Sequence, residues 1–511
     1  MSRNRRSHTR SSKQTVSWKK RKQATQRRQA QKASKKKTTM RRRKSSSSAN
    51  ERRRKRQTQP RRPRVTAPQF GRFLERFGFS TLAEEVYRRC RTTQRNRVWT
   101  FSRLALAWML IALSAAESLT AFLRQCRDGL YASCLQVQSS VEAFTCKSAS
   151  LPPTMMGALV NAFLTSLLES APPTRGEDKH LKSVHRRFHV INLDGSRLDR
   201  IRRITAFLRG VKETVLGGQL TIAYDLRRGG VCHLDFSLDA ARAEKTAADA
   251  LLADLPDGTL LVVDRLYATP NFCWNARAHG VHVLARRWAS VQMRERRLLR
   301  RTRPRNGHTV SEYLVCVGRD EERQTWRLIV HEHDGKTFEL VTTVLNPRHL
   351  SAWAAIRLYR ARWTIERVLA EIKCDLRLCR IHASRPFSIA HQVYGAVMTH
   401  AVLRRIQSEM AAEMGAPPEE ISFHKLLVAV RDLLVTVSLY ERLCQWVQRH
   451  GRLPTAEEFL GMIDSRTLLV EHRKEKTEDE RSAQKTKDSR KWISMTNIPG
   501  LAEIIQMAEA N

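Results

Sequence analysis

Four side chains suited to binding phosphate or a cation recur at helical spacing in the segment LYRARWTIERVLAEIKCDLR, residues 358–377. They are Tyr359, Arg362, Glu366 and Lys373. Steps of three, four and seven residues are about one, one and two turns of α-helix, so one helix face is predicted to carry all four. A carboxylate among three phosphate-binding groups indicates a metal ion held against a nucleic-acid backbone. The alternative is a solvated amphipathic helix with a stabilising i,i+4 Arg–Glu pair.

Two aspartates follow short apolar runs upstream of this segment. Asp194 ends the run RFHVINLD and Asp264 ends the run DGTLLVVD. Such runs are typical of strands buried in a sheet, and an aspartate at the strand end can point into the crevice where α/β sheets bind ligands. Gly195 then allows the chain to turn away after Asp194. Either aspartate could instead cap a helix or form a turn. Asp225 and Asp235 also lie in predicted strands and are lower-ranked rivals, because no glycine turn follows them directly.

The carboxylates of Asp194, Asp264 and Glu366 together suggest a reaction. Hard divalent cations such as Mg²⁺ take oxygen ligands, usually a few carboxylates plus substrate phosphate. Two such ions can activate the attacking oxygen and stabilise the leaving oxygen of an in-line displacement. The set therefore fits phosphodiester hydrolysis and strand transfer.

With these residues the chain resembles the bacterial insertion-element transposases with a DDE catalytic domain, of the insertion sequence 4 type. Their Tyr-Arg-Glu-Lys signature, Y-x2-R-x3-E-x6-K, matches residues 359–373 at every position. The segment LDGSRL at 193–198 resembles the first aspartate motif, and VVDRLYATPNF at 262–272 resembles the second. Leu266 stands where the family often has a small residue, while Tyr267 keeps the aromatic. The resemblance covers roughly residues 80–410.

The resemblance implies a metal-dependent enzyme that cuts and rejoins DNA. Asp194, Asp264 and Glu366 would be the catalytic residues and would also hold the metal, expected as two Mg²⁺ or Mn²⁺ ions. Tyr359, Arg362 and Lys373 would bind DNA. The implied partners are double-stranded DNA, at the terminal inverted repeats and the target, and a second copy of the chain in a homodimeric DNA complex.

Charge supports a polyanionic partner. The 511 residues carry a net charge of +44, with a pI near 10.9, far beyond what solubility needs. Residues 1–64 hold 27 Lys and Arg against one acid, Glu51. No apolar run reaches the ~20 residues of a spanning helix, and the amino terminus lacks a signal-peptide pattern. Ten cysteines without paired spacing indicate reduced thiols. We therefore expect a cytoplasmic protein at the bacterial nucleoid.

The predicted fold class is α/β, with an RNase H-like catalytic domain interrupted by a β-rich insertion. Three strands, a helix, a strand, a helix and a strand follow one another from residue 187, and a Gly-Gly turn joins the second and third strands. The predicted organisation is a disordered basic tail (1–64), a helical DNA-end-binding domain (66–170), the catalytic domain (187–285 and 347–410), the insertion (286–346), carboxy-terminal helices (411–464) and a charged tail (465–511).

Two further groups of residues are candidates for DNA contact. The family's insertion can carry an aromatic that stacks on a flipped base, and Trp288 and Trp326 are the candidates, although core packing is the commoner role for tryptophan. Arginines form the second group: Arg88, Arg89, Arg91, Arg95 and Arg97 in the amino-terminal domain, and Arg286, Arg287, Arg294, Arg296 and Arg297 in the insertion.

The predicted function is therefore a DDE transposase. Two alternatives stay open: a non-catalytic DNA-binding protein from a domesticated or decayed element, and a structure-specific nuclease that cleaves without rejoining. Inverted repeats flanking the gene would favour transposition over both.

Overall fold

The structure is a computed structural model of the 511-residue chain. It describes residues 67–90, 98–114, 116–127, 131, 134–135, 137–171, 181–198, 214–302, 307–318, 323–383, 385–453, 455 and 492–493. The predictions of a disordered tail at 1–64 and a charged tail at 465–511 lie outside these residues, apart from the short strand at 492–493.

Helices form the amino-terminal part of the described chain, as the apolar periodicity predicts. They are α1 (Ala67–Glu75), α2 (Phe79–Arg89), α3 (Phe101–Leu113), α4 (Leu119–Arg127), α5 (Val141–Ser150) and α6 (Pro153–Glu169). The side chain of Thr100 caps α3, and Pro153 sits in the first turn of α6, where its missing N–H costs nothing. After its first turn α3 is apolar and mostly buried, because later helices cover it.

A nine-stranded mixed sheet follows, in the order β4-β3-β1-β5-β6-β10-β9-β8-β7. Its strands are β1 (His189–Arg197), β3 (Gln219–Asp225), β4 (Gly230–Ser237), β5 (Thr259–Val263), β6 (His282–Arg286), β7 (Arg294–Arg301), β8 (Thr309–Val317), β9 (Gln324–His333) and β10 (Lys336–Thr342). The two-residue strands β2 (Thr214–Val215) and β11 (Trp492–Ile493) pair separately.

The first five strands of that order come from the segment in which the sequence predicts strands alternating with helices. β1, β3 and β4 are antiparallel neighbours, whereas β5 and β6 run parallel to β1. The predicted Gly-Gly hairpin joins β3 to β4. This mixed α/β arrangement is consistent with an RNase H-like fold.

The β-rich segment extends the same sheet. β10 pairs antiparallel with β6, and β9, β8 and β7 add to it in turn. An Asp-Gly hairpin turn joins β9 to β10, with positive φ at both Asp334 (47°) and Gly335 (71°). β7 is exposed along its whole length at the sheet edge.

The remaining helices pack against the sheet or under the amino-terminal helices. They are α7 (Lys182–Arg187), α8 (Glu244–Leu252), α9 (Pro270–Ala278), α10 (Ala352–Ala361), α11 (Trp363–Ala370), α12 (Pro386–Met414) and α13 (Phe423–His450). α12 is the central helix, with most of its residues buried; it packs against α3, α5 and α6. One hydrophobic core includes side chains from these helices and from the outer face of β3 and β4.

Among the described residues, no single helix has the length and apolar character to cross a membrane. α5 and α6, bent by 86° at their junction, meet the length and composition criteria only as a pair. All ten cysteines are free thiols, in agreement with the sequence-based expectation.

Candidate active site

Asp194 and Asp264 lie at the same level of two neighbouring parallel strands. β1 and β5 pair with a constant offset of 70 residues, as in Asn192 opposite Val262, and the two aspartates are separated by the same offset. They emerge where the pairing of β1 with β5 ends. The carboxyl ends of parallel strands form the crevice in which α/β sheets bind ligands.

The predicted sharp turn after Asp194 is wrong. β1 continues to Arg197, and Gly195 pairs with Thr221 of β3. Only the side facing β5 is released, because β5 ends at Val263 and Asp264 begins a 3₁₀ turn over Arg265–Tyr267. Asp194 therefore lies within β1, at a point where this strand is no longer paired with β5 but is still paired with β3.

Glu366 reaches this crevice from α11 through a shared arginine. The Arg362 guanidinium donates to Glu366 Oε1 at 2.6 Å and lies 3.8 Å from Asp194 Oδ2. The Arg362 side chain is 10% exposed, and it also interacts electrostatically with Asp264. One guanidinium thus acts as the counter-charge for carboxylates that come from two strands and one helix.

The electrostatic surroundings of Asp194 disfavour its ionised form. Burial, together with the nearby Glu244 carboxylate, raises the pKa of Asp194 to about 7. A hydrogen bond from the Gly195 N–H and the charge of Arg362 act in the opposite direction but do not cancel it. A cation in the crevice would relieve this strain, because it favours the ionised carboxylate.

The predicted single helix face is interrupted at two places. α10 ends at Ala361, Arg362 forms the junction, and α11 gives way to a π-helical turn at Glu371–Asp375. The four-residue spacing of Arg362 and Glu366 survives as an ion pair. Lys373 lies in the π turn, which holds more residues per turn than an α-helix and so changes the direction of this side chain. Periodicity gives no sign of this break.

Lys373 and Tyr359 contact the protein itself. Lys373 Nζ donates to the Arg197 carbonyl at 3.0 Å and to Ser196 Oγ at 3.4 Å, directly after the first aspartate. Tyr359 is 8% exposed; its ring packs on Phe338 with centroids 5.6 Å apart, and the Arg362 guanidinium lies 5.8 Å from its centroid. Both signature residues therefore lie beside the carboxylates, Lys373 against the end of β1 and Tyr359 as a buried support.

The two rival aspartates are placed elsewhere. β3 runs opposite to β1, so Asp225 lies beside Ile191, toward the other end of the strands, and accepts hydrogen bonds from the N–H groups of Arg227 and Arg228. Asp235 lies two strands away from β1, roughly 10 Å at normal strand spacing, and pairs with Arg242 at 2.8 Å. Asp225 forms a turn and Asp235 forms an ion pair.

The two tryptophans proposed to contact DNA differ in their burial. Trp326 is 1% exposed in the core, so its proposed role in base stacking is wrong. Trp288 is partly buried, with Lys245 Nζ 5.0 Å from its ring centroid.

Among the arginines, Arg287 pairs with Glu339 at 2.6 Å and Arg89 with Glu85 at 2.7 Å. Exposed arginines are Arg88, Arg89, Arg286, Arg294, Arg296 and Arg297, whereas Arg91, Arg95 and Arg97 lie outside the described residues.

Sequence reasoning missed Glu244. It is the first residue of α8, and its Oε1 accepts hydrogen bonds from the Gly195 N–H at 3.2 Å and from the Tyr267 hydroxyl at 2.8 Å. An acid in the first turn of a helix is ordinary, so no local signal marks it. Its contacts arise only when α8 packs against β1, β3 and β4 and meets the turn that follows β5.

The donor set suits a hard divalent cation, but its present arrangement does not form a closed site. Within the described ranges, no group of three or more His, Cys, Asp or Glu side chains is arranged to hold a metal ion. The cation that lies between Asp194 and Glu366 is the Arg362 guanidinium. Carboxylate oxygens are the preferred ligands of Mg²⁺ and Mn²⁺, so the chemistry of the donors fits such an ion once Arg362 releases them.

Comparison with known proteins gives a match at this part of the chain. Residues 211–402, a little over a third of the chain, match a family model described as a transposase DDE domain. The matched region contains Asp264 and the complete Tyr359–Lys373 signature but begins after Asp194. No curated protein matches the sequence. The match supports a DDE transposase, an enzyme class that acts on DNA, and the sheet and its carboxylates are consistent with that class.

Proposed function

We propose that this protein is a DNA transposase of the insertion sequence 4 type, which cuts its element from the donor and joins it to a target. The observation that carries the proposal is the meeting of Asp194 and Glu366 at one guanidinium, with Asp264 at the same level of the adjacent parallel strand. Bringing these like-charged side chains together from distant parts of the chain does not stabilise the fold. Such clusters of like charge are typical of functional sites.

Asp194, Asp264 and Glu366 would hold one or two Mg²⁺ or Mn²⁺ ions. When bound, such ions supply activation of the attacking oxygen and stabilisation of the leaving oxygen. Arg362 and Lys373 would bind phosphate oxygens next to the cut strand, and Tyr359 would hold the guanidinium in place from below. In this proposal Arg362 exchanges its carboxylate partners for phosphate as DNA enters.

The charge of the chain supports DNA as the partner. A net charge of +44 gives strong, salt-dependent attraction to a phosphate backbone. The exposed arginines of β7 add positive charge along the edge of the same sheet. The proposed complex contains the element's terminal repeats, the target duplex and two copies of the chain, and the proposed location is the bacterial nucleoid.

A cleavage assay on the gene's own flanking DNA tests the proposal. Wild-type protein with Mg²⁺ is expected to cut at two defined points, and Glu366→Gln, Asp264→Asn and Asp194→Asn are expected to abolish cutting while DNA binding persists. Glu332→Gln is the matched control, because Glu332 is an exposed carboxylate on β9, where its nearest basic partner is Arg301 at 3.9 Å. It should cut as wild type does.

Strand transfer separates a transposase from a nuclease. A pre-cut end with a free 3′-hydroxyl is expected to join to a target plasmid in the presence of wild-type protein. Cutting without joining would replace the proposal with a structure-specific nuclease. Tight, salt-sensitive binding with no cutting by any variant would indicate a non-catalytic DNA-binding protein, and cutting by Glu366→Gln at the wild-type rate would remove Glu366 from the site.

A further inference from the structure

Glu244 joins the two segments that carry the aspartates. Its Oε1 accepts from the backbone N–H of Gly195, which directly follows Asp194, at 3.2 Å. The same oxygen accepts from the hydroxyl of Tyr267, which ends the 3₁₀ turn that begins after Asp264, at 2.8 Å. A single carboxylate oxygen therefore connects the first aspartate's strand to the second aspartate's turn.

The local packing is built around this carboxylate. A Cβ added to Gly195 would lie 2.8 Å from Glu244 Cγ and 3.0 Å from Glu244 Oε1, so only glycine leaves room for the contact. Tyr267 is fully buried and packs on Phe272 of α9, with centroids 5.2 Å apart, and its backbone N–H donates to the Asp264 carbonyl at 3.1 Å. The tyrosine is thus fixed at its ring, and its hydroxyl donates to Glu244.

The contact does not serve the helix on which Glu244 lies. The N-cap of α8 is Ala243, whose side chain makes no capping hydrogen bond. The Glu244 carboxylate instead accepts hydrogen bonds from two segments outside this helix. Placing this carboxylate beside Asp194 also disfavours ionisation of that aspartate. An arrangement that costs electrostatic energy is retained at functional sites when it fixes geometry.

We propose that Glu244 is a positioning residue for the catalytic aspartates. Its hydrogen bonds fix the separation of Asp194 and Asp264, and with it their ability to share a divalent cation. The inference rests on the proposed function, since it assigns Glu244 a role at that same site. Partners that orient metal ligands typically change metal affinity or activity about 10- to 100-fold when they are removed.

The discriminating comparison is Glu244→Ala against Glu244→Gln. Glutamine keeps a carbonyl oxygen that accepts both hydrogen bonds but lacks the charge, whereas alanine removes both bonds. Mn²⁺ affinity, measured by electron paramagnetic resonance on the full chain, is expected to fall about 10- to 100-fold in Glu244→Ala and to stay within about threefold of wild type in Glu244→Gln. Equal losses in the two variants would overturn the proposal in favour of a charge or ligand role.

A second measurement needs no metal and no DNA. Hydrogen exchange of the segments 193–198 and 264–268 should accelerate in Glu244→Ala and remain near wild type in Glu244→Gln, because exchange reports local opening. Tyr267→Phe, which removes only the hydroxyl, should accelerate the same segments, and its effect should not add to that of Glu244→Ala. Asp249→Ala is the control on the same helix, since Asp249 bonds to Asn275 rather than to either segment.

The outcomes separate this inference from the proposed function. Wild-type protein that neither binds Mn²⁺ nor cuts DNA, with faster exchange of these segments in Glu244→Ala and Tyr267→Phe but not in Glu244→Gln, would leave the positioning role standing and remove the transposase. Wild-type protein that cuts DNA, with Glu244→Ala unchanged in exchange and Mn²⁺ affinity, would remove the positioning role and leave the transposase standing.

Discussion

The crossing of α12 over α3 gives the sharpest prediction of stability. Gly395 of α12 faces the backbone of Trp108, and a Cβ added there would lie 2.7 Å from the Trp108 carbonyl carbon and from its Cβ. Ordinary contact begins at 3.4 Å, so the two helices would have to separate by about 0.7 Å. No rotamer change relieves the overlap, because two of the three nearest atoms belong to the backbone. Thr399, one turn later, also bonds to the Met109 carbonyl at 2.9 Å and resists the separation.

The expected cost follows from opposing contributions. A gap of 0.5–1 Å forfeits roughly a quarter to a half of the dispersion energy across the contact, and overpacking in cores costs about 1–3 kcal/mol. Replacing glycine by alanine inside a helix stabilises the helix by about 1 kcal/mol. We therefore expect Gly395→Ala to lower the free energy of unfolding by about 0–2 kcal/mol.

Gly71→Ala is the matched control. Gly71 lies in α1 with no atom within 4 Å of the added Cβ, so the helix-propensity gain should appear alone, as about 0.5–1 kcal/mol of stabilisation. Urea unfolding followed by circular dichroism would compare the two variants and wild type, with equal slopes required for the comparison. Gly395→Ala that is as stable as Gly71→Ala would show that the helices are not in backbone contact at Gly395.

Two further predictions concern pH and salt. His391 is fully buried, and burial lowers its pKa from 6.5 to about 4; the unfolded chain therefore binds more protons between these values. The free energy of unfolding should fall by ~3 kcal/mol as the pH drops from about 6.5 to about 4, and urea midpoints of His391→Gln should show a flatter pH profile; parallel profiles would contradict this. Lys373→Ala should weaken DNA binding and reduce the slope of log affinity against log salt by about one, measured by fluorescence anisotropy. An unchanged slope would show that Lys373 serves only its contacts with Ser196 and Arg197 at the end of β1.

The sequence predicts much of the sheet because its signals are local. Runs such as VINLD and LLVVD are continuous and apolar since both faces of a parallel strand are covered, and they stop where the chain meets the crevice. The Asp334–Gly335 turn and the prolines of α6 are fixed by the φ angles those residues allow. Trp326 could have been placed correctly as well, because it alternates with Leu328 and Val330 on one face of β9, and all three are buried.

The rest depends on contacts that no local pattern contains. The break at Arg362 and the π turn at Glu371–Asp375 lie in a segment whose periodicity fits a continuous helix. Glu371 accepts from Arg404 at 2.6 Å and from His400 at 2.9 Å, both on α12, so the π turn is held by a helix that follows it in the chain. The sequence does not reveal the contacts of Glu244 for the same reason, since its partners lie 49 residues upstream and 23 residues downstream.

Topology, rather than residue type, decides which aspartates meet. Asp194, Asp225, Asp235 and Asp264 all lie in or directly after strands, and composition alone does not rank them. β1 is the strand at which the sheet changes from antiparallel to parallel pairing, with β3 on one side and β5 on the other. β1 and β5 are adjacent and parallel, so Asp194 meets Asp264, while the reversal of β3 carries Asp225 toward the opposite end and Asp235 lies two strands away from β1 on β4. A helix that enters over this same edge can add a carboxylate to both, and α11 does so with Glu366.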